Sequence, residues 1–157
     1  MSRLLAALPA IGGGAPGDRI ANALCRYQNG NPVAVAALGE LSAATAGFPR
    51  IQFCAAAALR AIHTKETLGY LDRLLDSPDP QVRYEAVAGL ASFANSGSIP
   101  REAPLTIDGN VSVRPASQYK SNETLSHFPT VDIFWTSEST YISFWKSWWA
   151  TVQPQLK

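Results

Sequence analysis

The sequence predicts an all-α protein: a short α-α superhelix of stacked helix pairs, then a long irregular loop and a C-terminal capping helix. Three observations predict it. An apolar stripe recurs at a spacing of 31 residues. Alanine supplies 21 of the first 97 residues and 3 of the last 60, and alanine has the best helix propensity and lets helix backbones approach. All four tryptophans lie in the second part, and Trp145, Trp148 and Trp149 share one helical face. The 157 residues divide into a frayed or truncated N-terminal segment (1–16), helical repeats (17–97), a long loop (98–136) and a Trp-rich helix packed on the repeats (137–157). A chain of this length is expected to form one domain.

The N-terminal stretch carries one arginine and a short apolar run, broken by Pro9 and by Gly12 to Gly14. It makes a poor signal peptide, and no stretch approaches the 18 or so apolar residues of a spanning helix. The expectation is a soluble chain without a transmembrane segment. Its compartment stays open: cytoplasmic, or extracytoplasmic if an N-terminal part is missing.

A first helix is expected at about 17–28, with Ile20 standing 31 residues before Ile51. Residues 32–46 put Val35, Leu38 and Leu41 on one face, and residues 66–76 put Leu68, Leu71 and Leu75 on one face with Leu74 beside it. Between and after them lie the two clearest copies, residues 49–63 and 80–94. The apolar set Ile51, Ala55, Leu59 and Ile62 recurs as Val82, Ala86, Leu90 and Phe93, and Pro49 falls on Pro80. Spacings of 4, 4 and 3 keep one stripe on a helix. Proline is tolerated at the first helical position, where its missing N–H costs nothing, and Asp79 is placed to cap the N–H groups behind Pro80. The unit is helix, short turn, helix. A unit of this size buries its apolar face by stacking on its neighbours.

Ser, Thr, Pro and Asn dominate the chain beyond Asn95-Ser96-Gly97 until about residue 137, which reads as loop. From there Tyr141, Ile142, Trp145, Trp148, Trp149 and Val152 return to helical spacing, with Ser137 or Ser139 as N-cap and Pro154 ending the pattern. This helix is expected to cover the open face of the last repeat, with Tyr141, Trp145, Trp148 and Trp149 as the capping aromatics.

The stretch DSPDPQVRYEAVAGLASFA resembles a HEAT repeat of the form common in bacterial HEAT-repeat proteins. Asp76, Asp79 and Pro80 match the inter-helix turn, Val82 and Arg83 the start of the second helix, and Ala86, Leu90 and Phe93 its inner face. The copy at 46–63 departs from the pattern: Gly47-Phe48-Pro49-Arg50 replaces the acidic turn and Gln52 stands in place of Arg. The resemblance implies a HEAT-type, armadillo-like solenoid that presents a surface to a partner. It also implies pairing of the turn aspartate with an arginine, for which Asp79 and Arg83 are the candidates. The tail, QYKSNETLSHFP and then STYISFWKSWWA, is similar to the ending of some bacterial HEAT-repeat proteins, which implies the C-terminal portion of a longer array.

No catalytic, cofactor-binding or metal-ligating set is expected. His63 and His127 have no second ligand at zinc spacing; His63, near a helix C-terminus, is expected to make a favourable dipole contact. Cys25 and Cys54 are read as buried free thiols. There is no phosphate-binding loop and no nucleophile elbow. Asp72, Asp76, Asp79 and Glu85 are interleaved with Arg73 and Arg83, which reads as a capped turn with ion pairs. A formal charge of +1, with 16% charged residues, opposes nucleic acid as a partner.

The expected function is therefore a non-enzymatic protein–protein interaction or scaffolding module. The alternatives are a ligand- or carbohydrate-binding protein using the Trp-rich end, or, by resemblance to lyases and glycosylases built from HEAT-like repeats, an enzyme or lyase subunit.

Overall fold

The computed structural model of the chain describes residues 6, 7, 10, 14–25, 34–95 and 131–156. Among them the elements are α1 (Gly14–Cys25), α2 (Val35–Ala44), α3 (Pro49–Ile62), α4 (Lys65–Leu74), α5 (Pro80–Asn95) and α6 (Val131–Val152), the last followed by a 3-10 turn, Gln153–Gln155. The described residues are all-helical, with no strand. None of these helices is long and apolar enough to cross a membrane.

Local chemistry sets the ends. Pro49 occupies the first turn of α3. Asp79 caps α5, its Oδ1 accepting from the N–H of Gln81 at 2.7 Å and of Val82 at 3.4 Å. His63 ends α3 in the left-handed region, φ +54°, a conformation that histidine enters more readily than most side chains.

The helices form two layers. In one, α3 lies between α1 and α5; in the other, α2 lies beside α4. Between the layers, α2 pairs with α3 and α4 with α5, and α6 lies against both α4 and α5. The repeated stripes fill the space between: Ile51, Ala55, Leu59 and Ile62 are buried, as are Val82, Ala86 and Leu90, while Phe93 is half-buried. A small cluster of Ala21, Leu41, Ile51, Cys54 and Ala55 joins α1, α2 and α3. A larger one runs from Val35 to Trp145 and takes in Phe134 and Tyr141 of α6. Leu90 is fully buried in it, so Leu90→Ala is expected to cost ~2–5 kcal/mol in urea denaturation. A loss below ~1 kcal/mol would mean that the stripe is not core.

Three expectations are corrected. First, α6 begins at Val131, so residues 131–136 belong to helix rather than to the loop; residues 98–130 lie outside the described residues. The cause is Phe134, fully buried and set edge-to-face against Tyr84 at 5.5 Å between centroids. Its anchoring outweighs a Ser- and Thr-rich context. Ser137 is not a cap but a break inside α6, with φ −139° and ψ 27°. Second, residues 14–16, assigned to the N-terminal segment, open α1. Third, Cys54 is disulfide-bonded rather than free. It sits on α3 in the cluster shared with Ala21 of α1, and the chain's other cysteine, Cys25, is the last residue of α1.

Candidate functional site

The second helices are joined by a polar seam. Gln52 on α3 and Arg83 on α5 stand 31 residues apart and do the same work. Gln52 Nε2 donates to the Ser42 carbonyl of the preceding turn at 2.9 Å, and its Oε1 accepts from Ser77 Oγ of the next turn at 2.8 Å. Arg83 Nη1 donates to the Ser77 carbonyl at 2.6 Å, and its Nε pairs with Glu138 of α6. Each residue thus ties its own turn to the next element. The expected Asp79–Arg83 pair does not form: Asp79 is spent on capping. Nor do the other turn acids pair with Arg73 and Arg83. Asp76 pairs with Lys146, Arg73 lies over the Tyr70 ring at 5.1 Å, and Glu85 pairs with Arg60.

Further along the seam the Arg60–Glu85 pair is closed from water. Nη1 to Oε2 is 3.0 Å, with side chains 5% and 2% exposed. Gly89 makes the room: an added Cβ would stand 2.7 Å from Leu71 Cδ1 and 3.5 Å from Arg60 Cβ. Burial pushes the Glu85 carboxyl up, and the Arg60 guanidinium opposes it. Beyond the pair, Arg60 Nη2, His63 Nε2 and Ser92 Oγ are buried with no hydrogen-bond partner.

His63 is not the charged dipole contact expected of it. Burial lowers its pKa, partly opposed by the Ser92 backbone, so the neutral ring is the favoured form. Its contribution to stability is complete above the ordinary histidine pKa of about 6.5 and is lost as pH falls below it, because the unfolded chain then binds more protons. Urea midpoints taken from pH 8 to pH 5 are expected to fall in this window. His63→Asn, which also tolerates a positive φ, is expected to flatten the fall. An unchanged profile in the variant would assign the dependence to other groups.

Two grooves open on the layer of first helices. One, about 200 Å3, lies between α2 and α4 and is lined by Gly39, Ser42, Gln52, Tyr70, Arg73 and Ser77 among others. The Tyr70 ring lies directly on Gly39, where a Cβ would collide with it. The second, about 420 Å3, lies between α4 and α6; Asp72, Arg73, Asp76, Lys146, Trp149 and Gln153 line it.

The structure places the sequence-derived residues as follows. Val82, Ala86 and Leu90 are core. Pro80 opens α5, and Asp76 stands exposed on the α4–α5 turn. In α6, Trp145 is fully buried, edge-to-face with Phe144 at 5.0 Å and with Trp148 at 5.3 Å, and Tyr141 is buried. Trp148 and Trp149 are half-buried. Missed by the sequence reading were Arg60, Glu138 and Lys146. Among the described residues no group of three His, Cys, Asp or Glu side chains is gathered to hold a metal ion. The chain is thus an all-helical protein of stacked pairs with a closing helix and two adjoining surface grooves; no family model, curated protein or solved structure matches it.

Proposed function

We propose that the chain is a non-enzymatic protein–protein interaction module of the HEAT-repeat type, a short solenoid closed by its Trp-bearing helix. The observation that carries this reading is the equivalence of Gln52 and Arg83, which bond backward and forward in the same way one repeat apart. A bridging device repeated at the sequence period is what stacked units require and what an irregular bundle has no reason to keep. The outer face of α3 carries Phe53, Ala57 and Ala61, half-buried or exposed. A stripe of this kind, small and uncharged, suits close approach of a protein surface, and the net charge of +1 favours protein over nucleic acid as the partner. The disulfide at Cys54 supports residence in an oxidising compartment.

The test is a photo-crosslinking residue placed at Ala57 in the producing cells. The expected result is one discrete adduct, reproduced with the purified partner and lost when Ala61→Glu is added. No adduct, or a smear insensitive to that substitution, would remove α3 as the binding face.

A further inference from the structure

We propose that the groove between α4 and α6 is a binding site for a neutral saccharide. The argument starts from charge. The groove is lined by two carboxylates, Asp72 and Asp76, and two cations, Arg73 and Lys146, so it offers an ionic ligand no net attraction. Three of the four are also engaged or flanked: Lys146 pairs with Asp76, and Arg73 lies over Tyr70. What remains is a set of unused recognition groups. Among the described residues, neither the Asp72 carboxylate nor the Gln153 amide has a hydrogen-bond or ion-pair partner, and the Trp149 indole stacks on no other ring.

These three groups suit one ligand chemistry. An indole face receives the C–H face of a pyranose as apolar surface. A carboxylate accepts from two adjacent hydroxyls, and a primary amide both donates and accepts. Polar walls disfavour an apolar ligand, and the volume of about 420 Å3 falls within the ~300–1,000 Å3 of small-molecule sites. Asp72 is partly desolvated: burial raises its pKa, with Lys146 opposing. A hydroxyl donor therefore displaces less water there than at a fully exposed acid. Trp149 is held in place beside Gly69, where an added Cβ would stand 3.6 Å from its ring. A pre-set ring loses little freedom on binding.

The test titrates the full chain with maltohexaose, cellohexaose and chitohexaose by calorimetry and by tryptophan emission. At least one is expected to bind, with Asp72→Ala and Trp149→Ala each weakening it ~10-fold or more, the cost of a lost charged hydrogen bond or stacking contact. Trp135→Ala, outside the groove and 41% exposed, is expected to leave binding unchanged. Melting temperatures accompany every variant. If Trp149→Ala fails to fold, Asp72→Ala on the surface of α4 decides alone. Absence of binding by all three sugars at about 5 mM, the weak end of useful affinity, overturns the proposal. So does binding that Asp72→Ala leaves intact. Neither outcome touches the crosslinking test on α3.

Discussion

Cutting Glu85 back to alanine is expected to cost about 3–5 kcal/mol, because it strands the Arg60 charge in a space closed to water. Arg60 Nη1 has its ion-pair partner in Glu85, and Nη2 already goes without a hydrogen bond. Arg60→Ala is expected to cost a similar ~3–5 kcal/mol from the other side, leaving a buried carboxylate or forcing it to hold a proton. The double variant Arg60→Met, Glu85→Leu removes both charges and keeps volume. It is expected to be far closer to the parent than either single change, since apolar replacement of a buried pair is often neutral or stabilising. Urea denaturation of the three variants makes a double-mutant cycle. Single losses below ~1 kcal/mol would show that water reaches the pair and that the seam is open.

Trp145→Ala is expected to remove ~3–5 kcal/mol, the usual range for a large aromatic cut from a core. Trp145 is fully buried and joins Phe144, Trp148 and the apolar residues of the larger cluster. Its loss leaves a cavity where α6 meets the stack. Truncation after Thr136 goes further and exposes the covered faces of α4 and α5, so lower melting temperature and association are expected together. The emission of the intact chain is expected to be blue-shifted by the buried indole. A truncated chain that stays monomeric with unchanged melting temperature would mean that α6 is an attachment rather than a part of the core.

The stripes were legible because helical periodicity is a local property. Ile51, Ala55, Leu59 and Ile62 repeat with Val82, Ala86 and Leu90, and all are buried. Asp79 before Pro80 was legible as a cap for the same reason, since its partners are two and three residues away. The pairings were not. Arg83 meets Glu138 across 55 residues, Lys146 meets Asp76 across 70, and Arg60 meets Glu85 across 25. A charge pattern along one chain offers several nearby partners for each of these, and the sequence holds nothing that ranks a distant one above them. One signal was present and unused: Arg60 and Glu85 each stand beside stripe residues, Leu59 and Ala86, where a surface charge is out of place. The groove between α4 and α6 was half legible. The Trp-rich face was foreseen, but its meeting with Asp72 and Asp76 depends on where α6 docks.

Gln52 and Arg83 occupy matching places with different chemistry, and ionic strength acts on them unequally. The Debye length falls from ~10 Å at 0.1 M to ~3 Å at 1 M. The bonds of Gln52 to Ser42 and Ser77 are between uncharged, buried groups, so added salt leaves the junction of α3 with its neighbours almost untouched. The contacts that fasten α6 include two ion pairs with partly exposed side chains, Arg83–Glu138 and Lys146–Asp76, and these are screened. The single exchange of an amide for a guanidinium therefore gives the molecule a salt-indifferent end and a salt-responsive one. Ionic conditions adjust how firmly the closing helix is held and leave the stack beneath it as it was.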